Sequence, residues 1–161
     1  MNFSITIGSL LSTALIAGLF FTWSNAIMPG LRKLPAHDFL LVMQTVNRSI
    51  LNPLFLLLFF SPVFLLSAKM YLQFKEGISL SFWLLLLAAL CYIFGVFILT
   101  IVVHIPINEA LNKLNIQSAT PDELAKYKLL FQSRWIPYNT IRALCAFISF
   151  LLLAVALIEK N

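Results

Sequence analysis

Charge is what this sequence lacks most. Only 11% of its 161 residues are Asp, Glu, Lys or Arg, where a soluble domain carries about a quarter. That is too little to solvate a globular surface when 61% of the residues are hydrophobic. The net charge of +5 does not imply nucleic acid as a partner, because basic residues beside membrane spans arise from topology alone. Cysteine is scarce too. Cys91 and Cys145 each sit inside an apolar run and form no CxxC, so they read as buried small hydrophobes rather than a disulfide framework. The two histidines, His37 and His104, show neither HExxH nor HxxxH spacing and have few acids to join them, so no metal site is expected. No stretch alternates strictly enough for a barrel strand. A basic segment is missing before the apolar run Ile5–Met28, which is also too long for a signal-peptide core and reads as a retained span.

What the sequence has instead is long stretches without charge: Asn2–Leu31, Ser49–Ala68, Gly77–Asn108 and Ala143–Ile158. A helix needs about 20 mainly apolar residues to cross the hydrocarbon layer. The first three runs satisfy this directly, and the fourth does once the half-polar 136–141 segment joins it. Spans are therefore predicted near 5–28, 49–69, 79–107 and 137–158. The expected fold class is an all-α integral membrane protein, a four-transmembrane-helix bundle forming a single membrane domain over 1–161. Between spans three and four, Thr120-Pro121-Asp122-Glu123 has the form of a capping box with proline at the first helical position. Leu124, Tyr127, Phe131 and Trp135 follow at helical spacing. A short amphipathic helix is predicted there, at the membrane surface and leading into span four. Tyr71 and Trp83 read as interfacial anchors.

Four spans place both termini on one side. The side holding connections 1–2 and 3–4 carries Arg32, Lys33, Arg48, Lys113, Lys126, Lys128, Arg134 and Arg142; the terminal side carries Lys69, Lys75 and Lys160. The positive-inside rule then puts the connections in the cytoplasm and both termini outside.

Polar residues gather at that same end. Trp23, Ser24 and Asn25 close span one; Gln44, Asn47, Arg48 and Asn52 precede or enter span two; Thr100, His104, Asn108 and Asn112 end span three; and Trp135, Asn139 and Arg142 open span four. Gln44, Arg48 and Asn52 repeat at i, i+4, i+8, as do His104, Asn108 and Asn112, so each set would share a helix face. Unpaired amides and charges are costly in hydrocarbon, so these faces are expected to turn inward and meet in a pocket rich in amide, guanidinium and imidazole. The bland reading is that such amides serve as interhelical glue and that the arginines snorkel to headgroups. Arginines beside two amide faces favour a ligand with an anionic oxygen. If the pocket reading holds, Asn47→Ala, Asn139→Ala and Arg48→Leu should each remove binding and leave thermal stability unchanged.

The stretches Trp23-Ser24-Asn25-Ala26-Ile27-Met28-Pro29-Gly30-Leu31, Met43-Gln44 with Asn47-Arg48 and Asn52-Pro53, Ile105-Pro106-Ile107-Asn108 with Ala110-Leu111, and Trp135 with Asn139 and Arg142 resemble the anthrone oxygenase-like family of small four-span membrane proteins. That family includes many bacterial members of unknown function and usually carries asparagine where this chain has His104. The resemblance implies oxidation of an anthrone- or phenol-like aromatic by molecular oxygen without a conventional cofactor, and a bacterial inner (plasma) membrane location. In such a scheme His104 would accept a proton, and Arg48, Asn47 and Asn139 would hold the phenolate oxygen. Trp23, Asn25, Gln44, Asn52, Asn108, Trp135 and Arg142 would shape the substrate pocket. The residues leave a haem, a metal or a quinone open as occupants. They also leave open a non-enzymatic protein that binds membrane lipid or a small hydrophobic anion, a structural or assembly subunit, and a homodimer.

Overall fold

The computed structural model describes residues 2–159, with side chains from Ser4 onward, so Lys160 lies outside the described residues. The described chain is helical throughout its regular structure. We number five helices: α1 (Ser4–Leu31), α2 (Ala36–Ser49), α3 (Pro53–Glu76), α4 (Leu80–Lys113) and α5 (Pro121–Ile158). All but α2 are long and apolar enough to cross a membrane, and at most 33% of the most apolar stretch of each is buried. The remaining apolar surface, with Leu57, Phe64, Phe94 and Leu144 among its exposed side chains, belongs against lipid.

Helix α1 packs on α3 and α5, and α4 packs on the same two. The spans therefore run round the bundle in chain order, each antiparallel to its neighbours. Small residues set the approach: Ala88, Ala89, Ala143, Ala146 and Ser149 are buried where helices meet, which lets backbones come close. Gly95 marks the tightest place, since a Cβ there would collide with the side chain of Cys145. Hydroxyl groups pin the interfaces further. Tyr92 donates to the Phe59 carbonyl at 2.9 Å and Ser149 to that of Ala88 at 2.8 Å. Lys69, on the terminal side, is buried and donates to Thr6. Tyr71 and Trp83 are exposed at that end.

One expectation changes. The second span begins at Pro53 rather than 49, because proline drives the preceding residue into extended geometry and Asn52 sits at φ −105°, ψ 160°. Residues before it form a separate helix, α2, instead of leading straight into the span. The amphipathic segment leads into span four, as expected. Its capping box forms, with Thr120 and Glu123 bonding reciprocally, and it is the first part of the 38-residue α5. Helix α2, the start of α5 and the end of α4 enclose a second core of Met28, Phe39, Leu40, Met43, Leu111 and Phe131, all with no exposed surface.

Three spans share one local device. Wide π-helical turns occupy Trp23–Ile27, Thr100–His104 and Phe131–Trp135, each ending just before an X-Pro pair: Met28-Pro29, Ile105-Pro106 and Ile136-Pro137. In each, the residue before proline donates its N–H to the carbonyl five residues back. Proline lacks an N–H and its ring crowds the carbonyl at i−4; widening the preceding turn relieves that conflict without a break. These three wide turns lie at the α2 end of the bundle, and a fourth, Ile93–Ile98 in α4, has no proline after it.

Candidate functional site

Between the two cores lies a cavity of about 200 Å³. An engineered cavity of about 150 Å³ accepts benzene, so this one has room for more than a single ring. Phe20, Phe55 and Phe59 form its apolar side, and Trp23 and Trp135 meet edge to face on another, with ring centroids 5.8 Å apart. The wide turns place the polar side. The turn in α4 carries Thr100 and His104, and those in α1 and α5 present Trp23 and Trp135, a setting in which π-helical turns often mark functional sites.

Arg142 is the deepest cation, only 6% exposed. Its Nη1 donates to Thr100 Oγ1 at 3.0 Å and its Nη2 to Asn139 Oδ1 at 2.7 Å, and the guanidinium stacks 4.2 Å from the Phe20 ring centre. Arginine stays protonated in proteins, yet no Asp or Glu lines the cavity. Asn139 Nδ2 donates to Ser24 Oγ at 2.8 Å and to the Phe20 carbonyl at 3.3 Å. Trp135 Nε1 donates to Asn108 Oδ1 at 2.9 Å, and the His104 ring meets Trp135 edge to face at 5.2 Å. His104 is 1% exposed. Its Nδ1 lies 3.5 Å from the Leu99 carbonyl, and the Trp135 carbonyl is near the ring.

Buried polar atoms nearly always find partners. Among the described residues, three buried side-chain atoms do not in ordinary geometry: Asn47 Nδ2, His104 Nε2 and Arg142 Nε. All three residues line this one cavity. Two of these atoms are obligate donors, and the imidazole nitrogen donates or accepts.

Of the residues singled out from the sequence, Trp23, Asn47, His104, Asn108, Trp135, Asn139 and Arg142 meet here. Four do not. Arg48 is exposed and donates to the side chain and carbonyl of Asn112, each at 3.3 Å. Gln44 ties α2 to the end of α4 through the carbonyls of Leu111 and Leu114. Asn52 caps α3, accepting from the Phe55 N–H at 3.0 Å. Asn25 faces a separate lipid-side groove between α1 and α5. The i, i+4, i+8 series Gln44–Arg48–Asn52 fails because the helix ends before Asn52. Phe20, Phe55 and Phe59 were not distinguished from the surrounding apolar residues, and nothing in their spacing separates them.

A family model described as anthrone oxygenase matches residues 53–152, well over half of the chain. The chain belongs to the anthrone oxygenase family. The matched stretch of this anthrone oxygenase family member carries His104, Asn108, Trp135, Asn139 and Arg142, while Trp23 and Asn47 come from outside it. No curated protein and no solved structure matches the chain. Among the described residues no three His, Cys, Asp or Glu gather as a metal site would require.

Proposed function

We propose that this anthrone oxygenase family member oxidises an acidic, phenol- or anthrone-like aromatic with molecular oxygen inside the cavity. The observation that carries the reading is that the three residues whose buried nitrogens lack a partner in ordinary geometry, Asn47, His104 and Arg142, all line one aromatic chamber that holds a cation and no carboxylate. Such a chamber suits a flat molecule bearing an oxygen that becomes anionic. Arg142 Nε and Asn47 Nδ2 donate to that oxygen, which stabilises the enolate as charge develops. Asn139 holds Arg142, and Arg48 takes no part. His104 Nε2 accepts the proton from the carbon flanked by the rings.

The overall reaction turns a CH₂ and O₂ into a C=O and H₂O. Proton loss leaves a carbanion, which passes one electron to O₂; the radical pair joins into a peroxide anion, which takes up a proton to form the hydroperoxide. Loss of the remaining C–H proton and cleavage of the O–O bond release water and leave the quinone carbonyl. The reading invokes no cofactor. It places the protein as one membrane domain in a bacterial inner membrane, with the Arg32, Lys33, Lys126 and Arg134 side in the cytoplasm and both termini outside.

Oxygen uptake and quinone absorbance, followed with anthrone and protein in lipid nanodiscs, test the reaction. His104→Gln should slow it by about 10²- to 10⁴-fold while leaving anthrone binding intact. Wild-type protein that binds anthrone but consumes no oxygen would instead make the cavity a receptor for a hydrophobic anion.

A further inference from the structure

The cavity is closed toward the α2 side and open toward lipid. Met28, Phe39, Leu40, Met43 and Leu111 seal the α2 side with no exposed surface, Gln44 clamps α2 to the end of α4, and Lys128 clamps the start of α5 to the α1–α2 turn. Helices α1, α4 and α5 are tied together round the cavity by the bonds of Asn139, Arg142 and Trp135. The seam between the first half of α3 and the last half of α4 is different. Phe60 meets Phe97 edge to face at 5.5 Å beside the Tyr92–Phe59 hydrogen bond, and from Leu58 to the elbow at Leu51 no hydrogen bond joins the two helices among the described residues. Leu51, Leu56, Phe60, Ile101 and Ile105 line the cavity and are also 38% to 60% exposed. They stand at the cavity's rim and on the lipid-facing surface at once.

Resting on the phenol-oxidising reading of this cavity, we propose that its ligand is a phenol with an apolar tail, taken laterally from the bilayer, the ring held inside and the tail leaving between α3 and α4. The polar nitrogens lie on the α2, α4 and α5 walls, and the rim residues carry no polar side chain. A hydroxyl therefore finds partners only deep inside. An alkyl chain at the rim exchanges lipid contacts for Leu, Phe and Ile contacts, which costs almost nothing because lipid tails are as apolar as those side chains. If the rim faced water, each methylene would cost about fourfold in affinity; if the cavity were closed, an eight-carbon tail would have no room.

The test uses two probes with protein in nanodiscs, 4-nitrophenol and the same molecule with an octyl chain ortho to its hydroxyl. Binding is read by quenching of tryptophan emission and expressed per probe concentration in the bilayer, measured on empty nanodiscs. Both probes should bind wild type within threefold of each other. Leu56→Phe and Ile101→Phe, which narrow the rim, should weaken the octyl probe at least tenfold and the short probe less than twofold. Leu144→Phe, on another lipid-facing surface, should change neither. An octyl probe that binds a hundredfold more weakly than the short one, or rim variants that affect both probes alike, would overturn the lateral portal and leave the phenol site standing. Failure of both probes to bind wild type would sink the phenol reading and the portal with it.

Discussion

Asn139 accepts from Arg142 Nη2 at 2.7 Å and, through its own Nδ2, holds Ser24 and the Phe20 carbonyl of α1. One side chain thus both sets the guanidinium and joins two spans. Asn47, in the same cavity, has an Nδ2 with no partner. The sequence made these two amides equivalent, and the structure separates them.

Asn139→Ala should therefore lose both stability and ligand. Stranding its buried partners costs about 1–3 kcal/mol, seen as a lowered melting temperature in detergent. Asn47→Ala removes a donor that nothing in the protein uses, so melting should stay at the wild-type value while ligand affinity falls. Equal melting losses in the two variants would return both amides to the role of packing contacts.

Arg142→Met should escape the usual core penalty. Removing one charge without an acidic partner relieves desolvation, offsetting the acceptor left behind on Asn139; Thr100 already bonds the Val96 carbonyl at 2.7 Å. Melting should stay within a few degrees of wild type, while turnover falls by about 10²- to 10³-fold, as loss of an oxyanion donor does. Arg142→Lys, which keeps charge without the planar fork, should lie between. A strongly destabilised Arg142→Met would identify the guanidinium as a structural tie.

The spans and the crowded polar end were legible because hydropathy and helical spacing report on them directly. The choice between arginines was not. Arg48 and Arg142 look alike in sequence, each near two amides, but only Arg142 follows Asn139 on an unbroken helix, whereas Asn52-Pro53 ends the series that would have aimed Arg48 inward. The wide turns were hidden for a related reason. Proline at the same end of several spans was visible, but whether a proline breaks, kinks or widens a helix depends on what packs around it.

Gly95 gives a test of packing independent of the cavity. Gly95→Ala drives a methyl into Cys145 and should cost about 1–3 kcal/mol by overpacking. Adding Cys145→Gly moves the bulk from α5 to α4 and should recover more than half of the loss in melting temperature. No recovery in the double variant would mean that α4 and α5 are not in contact at this level.

Pro137→Ala asks whether the wide turn in α5 is set by its proline. Alanine restores an N–H that can bond the carbonyl four residues back, at Ser133, and it suits a helix interior better than proline by roughly 3 kcal/mol. Tightening the Phe131–Trp135 turn to ordinary α geometry would shift everything before it by one residue, or about 100° round the axis. Trp135 would then leave Asn108, now 2.9 Å from its indole nitrogen, and turn away from His104. Helix content and melting temperature should hold or rise, tryptophan emission should shift, and ligand affinity should drop at least tenfold. The opposing force is the contact of Phe131 with Phe39, with ring centres 6.0 Å apart, which holds the start of α5 against α2. Unchanged emission and affinity in Pro137→Ala would mean that this contact, rather than the proline, keeps the turn wide, and Phe39→Ala would become the variant that releases it.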